Sequence, residues 1–142
     1  ELGVAAGTNA WVLYNHFKVK RLWLIDSWCQ AYNKEMNKWI EETFKKFDGC
    51  DNVVIIKGNS IHVSYLIPDN SLDYLYIDDL HSAEHVKREL DLYFPKMKKG
   101  SIISGHDMDS ELRGRVYDGI VQYTNENMLT MFKKDLDWWF IV

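Results

Sequence analysis

Glu1-Leu2-Gly3-Val4-Ala5-Ala6-Gly7-Thr8, followed by Leu22-Trp23-Leu24-Ile25-Asp26, is the part of the sequence whose reading decides the fold. The first segment reads as a glycine-bearing turn from the end of a strand into a helix, the place where open α/β sheets bind nucleotides. Glycine there lets backbone N–H groups come close to a ligand, and the helix N-terminus adds positive potential. Glycine pairs also serve ordinary tight turns, so the turn alone decides nothing. The second segment is a short apolar run that ends in an acid nineteen residues after Gly7. An acid at the tip of a second strand can accept hydrogen bonds from both ribose hydroxyls. Turn and acid together point to an adenosine-containing ligand. A nicotinamide dinucleotide asks for Gly-x-Gly-x-x-Gly to seat its pyrophosphate. Here Gly3 and Gly7 stand four apart, with Ala5 between them and Thr8 after them.

Working outward, two periods alternate along the chain, as in a sheet with crossover helices. Short apolar runs predict strands over 22–25, 53–56, 72–77, 101–104, 128–132 and 138–142. Tyr32, Met36, Trp39, Ile40, Thr43, Phe44 and Phe47 recur at helical spacing. Ala10, Leu13, Tyr14 and Phe17 form a shorter stripe, with Thr8 or Asn9 as the expected N-cap. Val86, Leu90 and Phe94 line a third helix that Pro95 ends, and Leu112, Val116, Ile120 and Tyr123 a fourth, with Gly119 inside it. Turns are expected at Asp48-Gly49, Pro68-Asp69-Asn70 and Lys99-Gly100. The connection over 133–137 is too short for a crossover helix, so the last two strands must run antiparallel. The expectation is a Rossmann-like, doubly wound, mostly parallel seven-stranded sheet with an antiparallel C-terminal hairpin strand. It forms one domain over residues 1–142, with its first strand cut short and further residues before Glu1.

Composition bounds the function. A net charge of −4 offers no basic surplus, whereas non-specific nucleic-acid binding draws on Lys and Arg at phosphates, so a nucleic-acid partner is not expected. The longest apolar run, 138–142, is far below the ~20 residues that cross a bilayer. No membrane partner is therefore expected. Cys29 and Cys50 read as reduced intracellular thiols in a cytoplasmic protein. A homo-oligomer is compatible with everything above.

The glycine spacing led by an acid resembles the first motif of class I S-adenosylmethionine (SAM) dependent methyltransferases. The resemblance runs along nearly the whole chain. It is closest to small-molecule O-methyltransferases related to macrolide-sugar and catechol enzymes. Asp26-Ser27-Trp28 is similar to that branch's acid, small hydroxyl residue and Trp. Gly58-Asn59-Ser60 resembles its third motif, where a polar side chain meets adenine. Tyr76-Ile77-Asp78-Asp79-Leu80-His81 resembles Ile-Asp-Gly-x-His, and Gly100-Ser101-Ile102-Ile103-Ser104-Gly105-His106-Asp107 resembles Gly-Gly-x-x-x-x-His-Asp. The chain departs from the pattern at Ala5, where a glycine is usual, and at Asp79-Leu80, where small residues are usual. The resemblance implies a SAM site at Glu1, Gly3, Ala5, Gly7, Asp26, Ser27, Trp28, Asn59, Ser60 and Asp78. It also implies a divalent cation, Mg²⁺ or a similar ion, on Asp78, His106 and Asp107. The acceptor would be a hydroxyl of a small molecule, such as a sugar or other polyhydroxylated compound.

The residues themselves fit this chemistry. Asp78, His81, His106 and Asp107 all fall at carboxyl ends of predicted strands, the edge where such sheets bind ligands. Methyl transfer to oxygen needs an aligned acceptor and removal of its proton, which suits His81 as a base. Carboxylates on adjacent strands suit a hard cation, and His106 suits it less well. Two other readings stay open: a nicotinamide-dependent oxidoreductase, which Asp26 would serve equally, and a domain that binds SAM without transferring methyl. His81-Ser82-Ala83-Glu84-His85 also matches a zinc peptidase pattern. That chemistry needs both histidines on one helix, whereas His81 directly follows a strand end and Ser82 reads as an N-cap, which leaves His85 as a solvated helix residue. Of Trp138 and Trp139, one is expected in the core and one at a pocket or interface.

Overall fold

Gly7 adopts a left-handed conformation (φ 70°) and starts helix α1 (Thr8–His16) by accepting the Trp11 N–H at 3.0 Å. The computed structural model of the chain describes residues 1–31, 33–108 and 116–142. Gly7 is itself the N-cap and no side chain caps the helix, which corrects the expectation of Thr8 or Asn9 in that place. The glycine makes the turn with its backbone, and a side-chain acceptor is not used.

The described residues group into two compact units, Glu1–Ser60 and Ile61–Val142. In the first, α1 leads to β1 (Leu22–Asp26), α2 (Met36–Lys46) and β2 (Val53–Lys57). The two strands pair in parallel, from Leu22 opposite Val53 to Asp26 opposite Lys57, with α2 as the crossover such a pair requires. Leu2 adds a single parallel bridge to Ile25. The apolar stripes meet in a core of Val4, Ala10, Leu24, Trp28 and Phe47, against which Tyr14, Trp39 and Ile40 pack. Each large side chain buried there contributes roughly 1.5–3 kcal/mol of transfer free energy. Helix α2 begins four residues later than the spacing predicts. Asn33 Oδ1 accepts the Glu35 N–H at 2.9 Å, a local turn that competes with helix, and Tyr32 lies outside the described residues.

The second unit follows a short helix, α3 (Ser60–Val63), with β3 (Leu72–Ile77), α4 (Ala83–Tyr93), β4 (Met97–Gly105), α5 (Val116–Glu126), β5 (Phe132–Lys134) and β6 (Asp137–Ile141). The sheet order is β3-β4-β6-β5. β3 and β4 are parallel, and β6 runs antiparallel to both β4 and β5. The antiparallel C-terminal hairpin is therefore present. Trp138 and Phe140 point into the core from alternate positions of β6, and Tyr123 of α5 stacks on Phe140. Gly119 marks the closest approach of α5 to α4: an added Cβ would lie 2.4 Å from the Ala83 carbonyl oxygen.

Several expectations need correction. The described residues hold six strands in two sheets, with two parallel and two antiparallel pairings, where a mostly parallel seven-stranded sheet was expected. Residues before α1 contribute one bridge and no strand. The strand expected over 128–132 lies at Phe132–Lys134, because Met128 is a left-handed residue (φ 54°), 94% exposed, where the chain leaves α5. Lys99-Gly100 is no turn between elements. It lies inside β4, where Gly100 (φ 81°) sits at a break in register: Leu72 pairs with Met97 but Tyr74 with Ile102. Pro95 falls in a 3₁₀ turn, Phe94–Lys96, directly after α4. Leu112 lies outside the described residues.

Candidate active site

In the first unit the turn after Glu1 is built around Asp26. The carboxylate is 6% exposed, and its Oδ2 accepts the N–H groups of Val4 and Ala5, both at 2.8 Å. Its Oδ1 accepts the Trp28 N–H at 2.7 Å. These are charge-assisted bonds, and they fix the backbone of the segment that carries Gly3 (φ 78°), Ala5 (φ 49°) and Gly7. The carbonyls of the turn are held as well: Ala5 O accepts from Trp28 Nε1 (2.8 Å) and Thr43 Oγ1 (3.1 Å), and Ala6 O from Lys46 Nζ (2.7 Å). Trp28 is thus a core residue that steadies the turn. Ser27, Asn59 and Glu1 are half-buried, and Ser60 is buried at the start of α3. Asn9 Nδ2 lies 3.4 Å from Glu1 Oε2, and Gly58 N–H bonds to Asp26 O at 2.8 Å, which sets the Gly58-Asn59-Ser60 segment beside the tip of β1.

In the second unit β3 and β4 end together, Ile77 opposite Gly105, and the next residues supply the charged groups. The His106 N–H bonds to Ile77 O at 3.1 Å, and Trp138 Nε1 donates to His106 O at 3.0 Å. Asp107 is 2% exposed and holds a left-handed backbone (φ 62°). His81 comes back from the loop after β3, where the Ser82 N–H closes a tight turn on Leu80 O, and Ser82 Oγ then caps α4 by accepting the His85 N–H. This arrangement brings His81 Nε2 against Asp107 Oδ2 and within 3.4 Å of Asp78 Oδ1. Donor atoms of Asp78, His81 and Asp107 all lie within 4.8 Å of one another. His106 stands apart from that group and places Nδ1 3.3 Å from the other oxygen of Asp107. A small cleft opens beside them, lined by Asp78, Leu80, His81, Val86, His106 and Trp138 among others. Of the two tryptophans, Trp138 is both core and pocket wall, and Trp139 stacks on Phe132.

His85 differs from expectation. Its side chain is only 10% exposed, and its Nε2 lies 3.5 Å from Asp79 Oδ2 and 3.5 Å from Glu89 Oε1. Asp79 first, and Glu89 second, hold the imidazole well above its ordinary 6.5, at about 10. Burial pushes the nearby Tyr93 hydroxyl upward as well, with Glu89 and Asp79 adding to it. The peptidase pattern thus comes apart in space: His81 joins one carboxylate pair and His85 another. Sequence reading passed over Glu89, although His85 and Glu89 are spaced i,i+4 on α4 and that spacing alone could have flagged them.

Residues 1–108 match the family described as Methyltransferase domain. Comparison with curated protein sequences finds no match. Among solved structures, the chain is similar to the O-methyltransferase from Bacillus cereus in complex with SAH (TM-score 0.71, 11% identity, covering 99% of this chain and 72% of that one). It is also similar to the TDP-rhamnose 3′-O-methyltransferase of calicheamicin biosynthesis (TM-score 0.64, 17% identity, 99% and 69%). A Corynebacterium glutamicum protein matches with TM-score 0.61 at 12% identity, over 85% of this chain, and the chain spans 60% of that protein's length. At these identities the likeness is one of fold, and the fold is the Rossmann-like α/β fold of methyltransferases.

Proposed function

This chain belongs to the methyltransferase domain family, and from that premise we propose that it transfers a methyl group from SAM to a hydroxyl of a small molecule in the cytoplasm, with residues 1–142 acting as one functional domain. The observation that carries the reading is the convergence of Asp78, His81 and Asp107 at the ends of β3 and β4. An acceptor oxygen that takes the methyl group must lose its proton, and His81 takes it on the ring nitrogen that does not face the carboxylates, since Nε2 donates to Asp107 and Asp78. The positive charge His81 gains then forms beside the Asp107 and Asp78 carboxylates, which are already in place and need no rearrangement. The carbon–sulfur electron pair stays with sulfur, so the sulfonium leaves as a neutral thioether.

SAM is held by the glycine turn and Asp26 in this reading. The turn supplies backbone N–H groups near Gly3 to Gly7 for the amino-acid end, Asp26 and Ser27 lie at the ribose position, and Asn59 and Ser60 lie at the adenine position. Asp26 acts in two ways, as an acid at the tip of β1 and as the group that orders the turn. The donor set also fits a hard divalent cation. Asp78 and Asp107 would hold it, with His106 against the second oxygen of Asp107, and the cation would orient and acidify the acceptor hydroxyl.

The test is incubation with methyl-labelled SAM and a panel of sugars, catechols and other hydroxylated compounds, followed by mass spectrometry. Methyl ether formation is expected, abolished by chelator while SAM binding persists. Label transfer to nitrogen-only acceptors, or turnover unchanged in chelator, would remove respectively the hydroxyl and the cation from the reading.

A further inference from the structure

The loop over 78–82 joins the end of β3 at Ile77 to Ser82, the cap of α4, and it carries both Asp78 and His81. Its backbone turns tightly, with the Ser82 N–H on Leu80 O at 2.8 Å. Burial of its side chains does little to hold it down: Asp78 and His81 are more than a third exposed, and Leu80 is 44% exposed. Asp79 turns inward instead. Its side chain is 19% exposed, and its Oδ2 lies 3.5 Å from Nε2 of His85 in the first turn of α4. Small residues are usual at this place in the methyltransferase pattern, so the contact belongs to this chain and not to the pattern.

His85 is held from the helix side as well. The same Nε2 stands 3.5 Å from Oε1 of Glu89, one turn further along α4, where the carboxylate is buried. Helix α4 is a fixed support, since Val86, Leu90 and Tyr93 are buried and Gly119 of α5 packs closely on Ala83 and Val86. Asp79 first, and Glu89 second, keep the imidazole charged at neutral pH. A cation between a carboxylate of the loop and one of the helix draws the two elements together, and a partly buried pair is screened less by salt than an exposed one.

We infer that His85 is a positioning residue: its positive charge, set between Asp79 and Glu89, clamps the 78–82 loop to α4 and so holds Asp78 and His81 where the reaction needs them. The link from clamp to turnover rests on the reading of His81 as the base, whereas the clamp itself does not. His81 meets Asp78 and Asp107 only with the loop in this place, and a displacement of about 1 Å at a reacting group can cost on the order of 10²-fold in rate. His85 acts through the loop and takes no proton from the acceptor.

The experiment compares the full chain with Asp79→Asn, His85→Gln and His85→Lys by hydrogen exchange, thermal melts, SAM calorimetry and methyl transfer. Asp79→Asn is the main variant, because it cuts the tie to the loop and leaves His85 with Glu89. Exchange at 78–82 should quicken in it by at least about 10-fold, between the few-fold of an exposed ion pair and the far larger loss at a fully buried one, while exchange over 86–93 changes by less than about 2-fold. Its kcat should fall by roughly 10–100-fold with SAM affinity unchanged. His85→Gln should loosen the loop in the same way, and His85→Lys, which keeps a cation there, should restore most of the protection and of the rate. A purely structural role would instead quicken exchange across α4 and β3 together and give no rescue by lysine. That result overturns the inference, as does unchanged exchange at 78–82 in Asp79→Asn, or a loosened loop with kcat unchanged. If His85→Gln fails to fold, Asp79→Asn and His85→Lys decide. If the parent chain transfers methyl to no acceptor, the proposed function is what fails, and the exchange of 78–82 in Asp79→Asn and His85→Lys still supports or overturns the clamp.

Discussion

Ala5 sits at φ 49°, in a region that an L-residue with a Cβ enters at a cost of roughly 1–2 kcal/mol. The turn needs that conformation because the Ala5 N–H must reach Asp26 while its carbonyl meets Trp28 and Thr43. Ala5→Gly should therefore raise stability by about 0.5–1 kcal/mol once glycine's extra chain entropy is set against the strain removed. Thermal melts check this, and an unchanged or lower melting temperature would mean that the turn does not strain Ala5. Asp26 is the partner in the same device. Asp26→Ala removes the acceptor of three backbone N–H groups, so SAM affinity should fall by about 1.5–3 kcal/mol, the scale of charge-assisted bonds. Calorimetry reads the loss, and unchanged affinity would take Asp26 out of the cofactor site. His81→Ala should lower turnover by roughly 10²–10⁴-fold with little change in SAM affinity, because a base acts on the acceptor proton and does not hold the cofactor. A parallel fall in SAM affinity would instead make His81 a binding residue.

At the scale of elements, α4 and α5 meet where Gly119 lies under Ala83 and Val86, with the added Cβ only 2.6 Å from Val86 Cγ1. Overpacking of this kind costs about 1–3 kcal/mol, so Gly119→Ala should lower the denaturation midpoint despite alanine's better helix propensity. An unchanged midpoint would show that the two helices can part without cost. The same position shows what the sequence could and could not convey. Val116, Ile120 and Tyr123 mark a helix by their spacing, but that Gly119 is a contact and no weakness follows only from the second helix. Leu22–Asp26 and Leu72–Ile77 were legible because short, largely apolar runs lead into acids, Asp26 and Asp78, at the carboxyl ends of the strands. The last hairpin was legible in direction and misplaced in register. Met128-Leu129-Thr130-Met131-Phe132 is apolar enough for a strand, yet pairing is set by the short connection at Asp135 and Leu136 and by Phe132 falling opposite Trp139. His85 was misread for a related reason. Periodicity put it on the charged side of α4, and the Asp79 carboxylate that buries it arrives from another element.

At the scale of the whole molecule, each of the two compact units carries part of the candidate machinery: the glycine turn with Asp26 in Glu1–Ser60, and Asp78, His81 and Asp107 in Ile61–Val142. The order of these motifs along the chain was readable because each sits at a strand end, and strand ends are what apolar runs reveal best. The choice among partners for His81 was not readable, since Asp78 lies three residues away and Asp107 lies twenty-six. Net charge of −4 remains consistent with a small, non-polyanionic acceptor, and no helix among the described residues is long and apolar enough to cross a membrane. The claim on which the rest depends is that the turn and Asp26 receive SAM and not a nicotinamide dinucleotide. A calorimetric titration of the full chain with SAM, its demethylated product, NAD and NADP tests that most directly. The account predicts saturable binding of SAM and its product at one site per chain, weakened in Asp26→Ala, with no heat from either dinucleotide; saturable binding of a dinucleotide with none of SAM would contradict it.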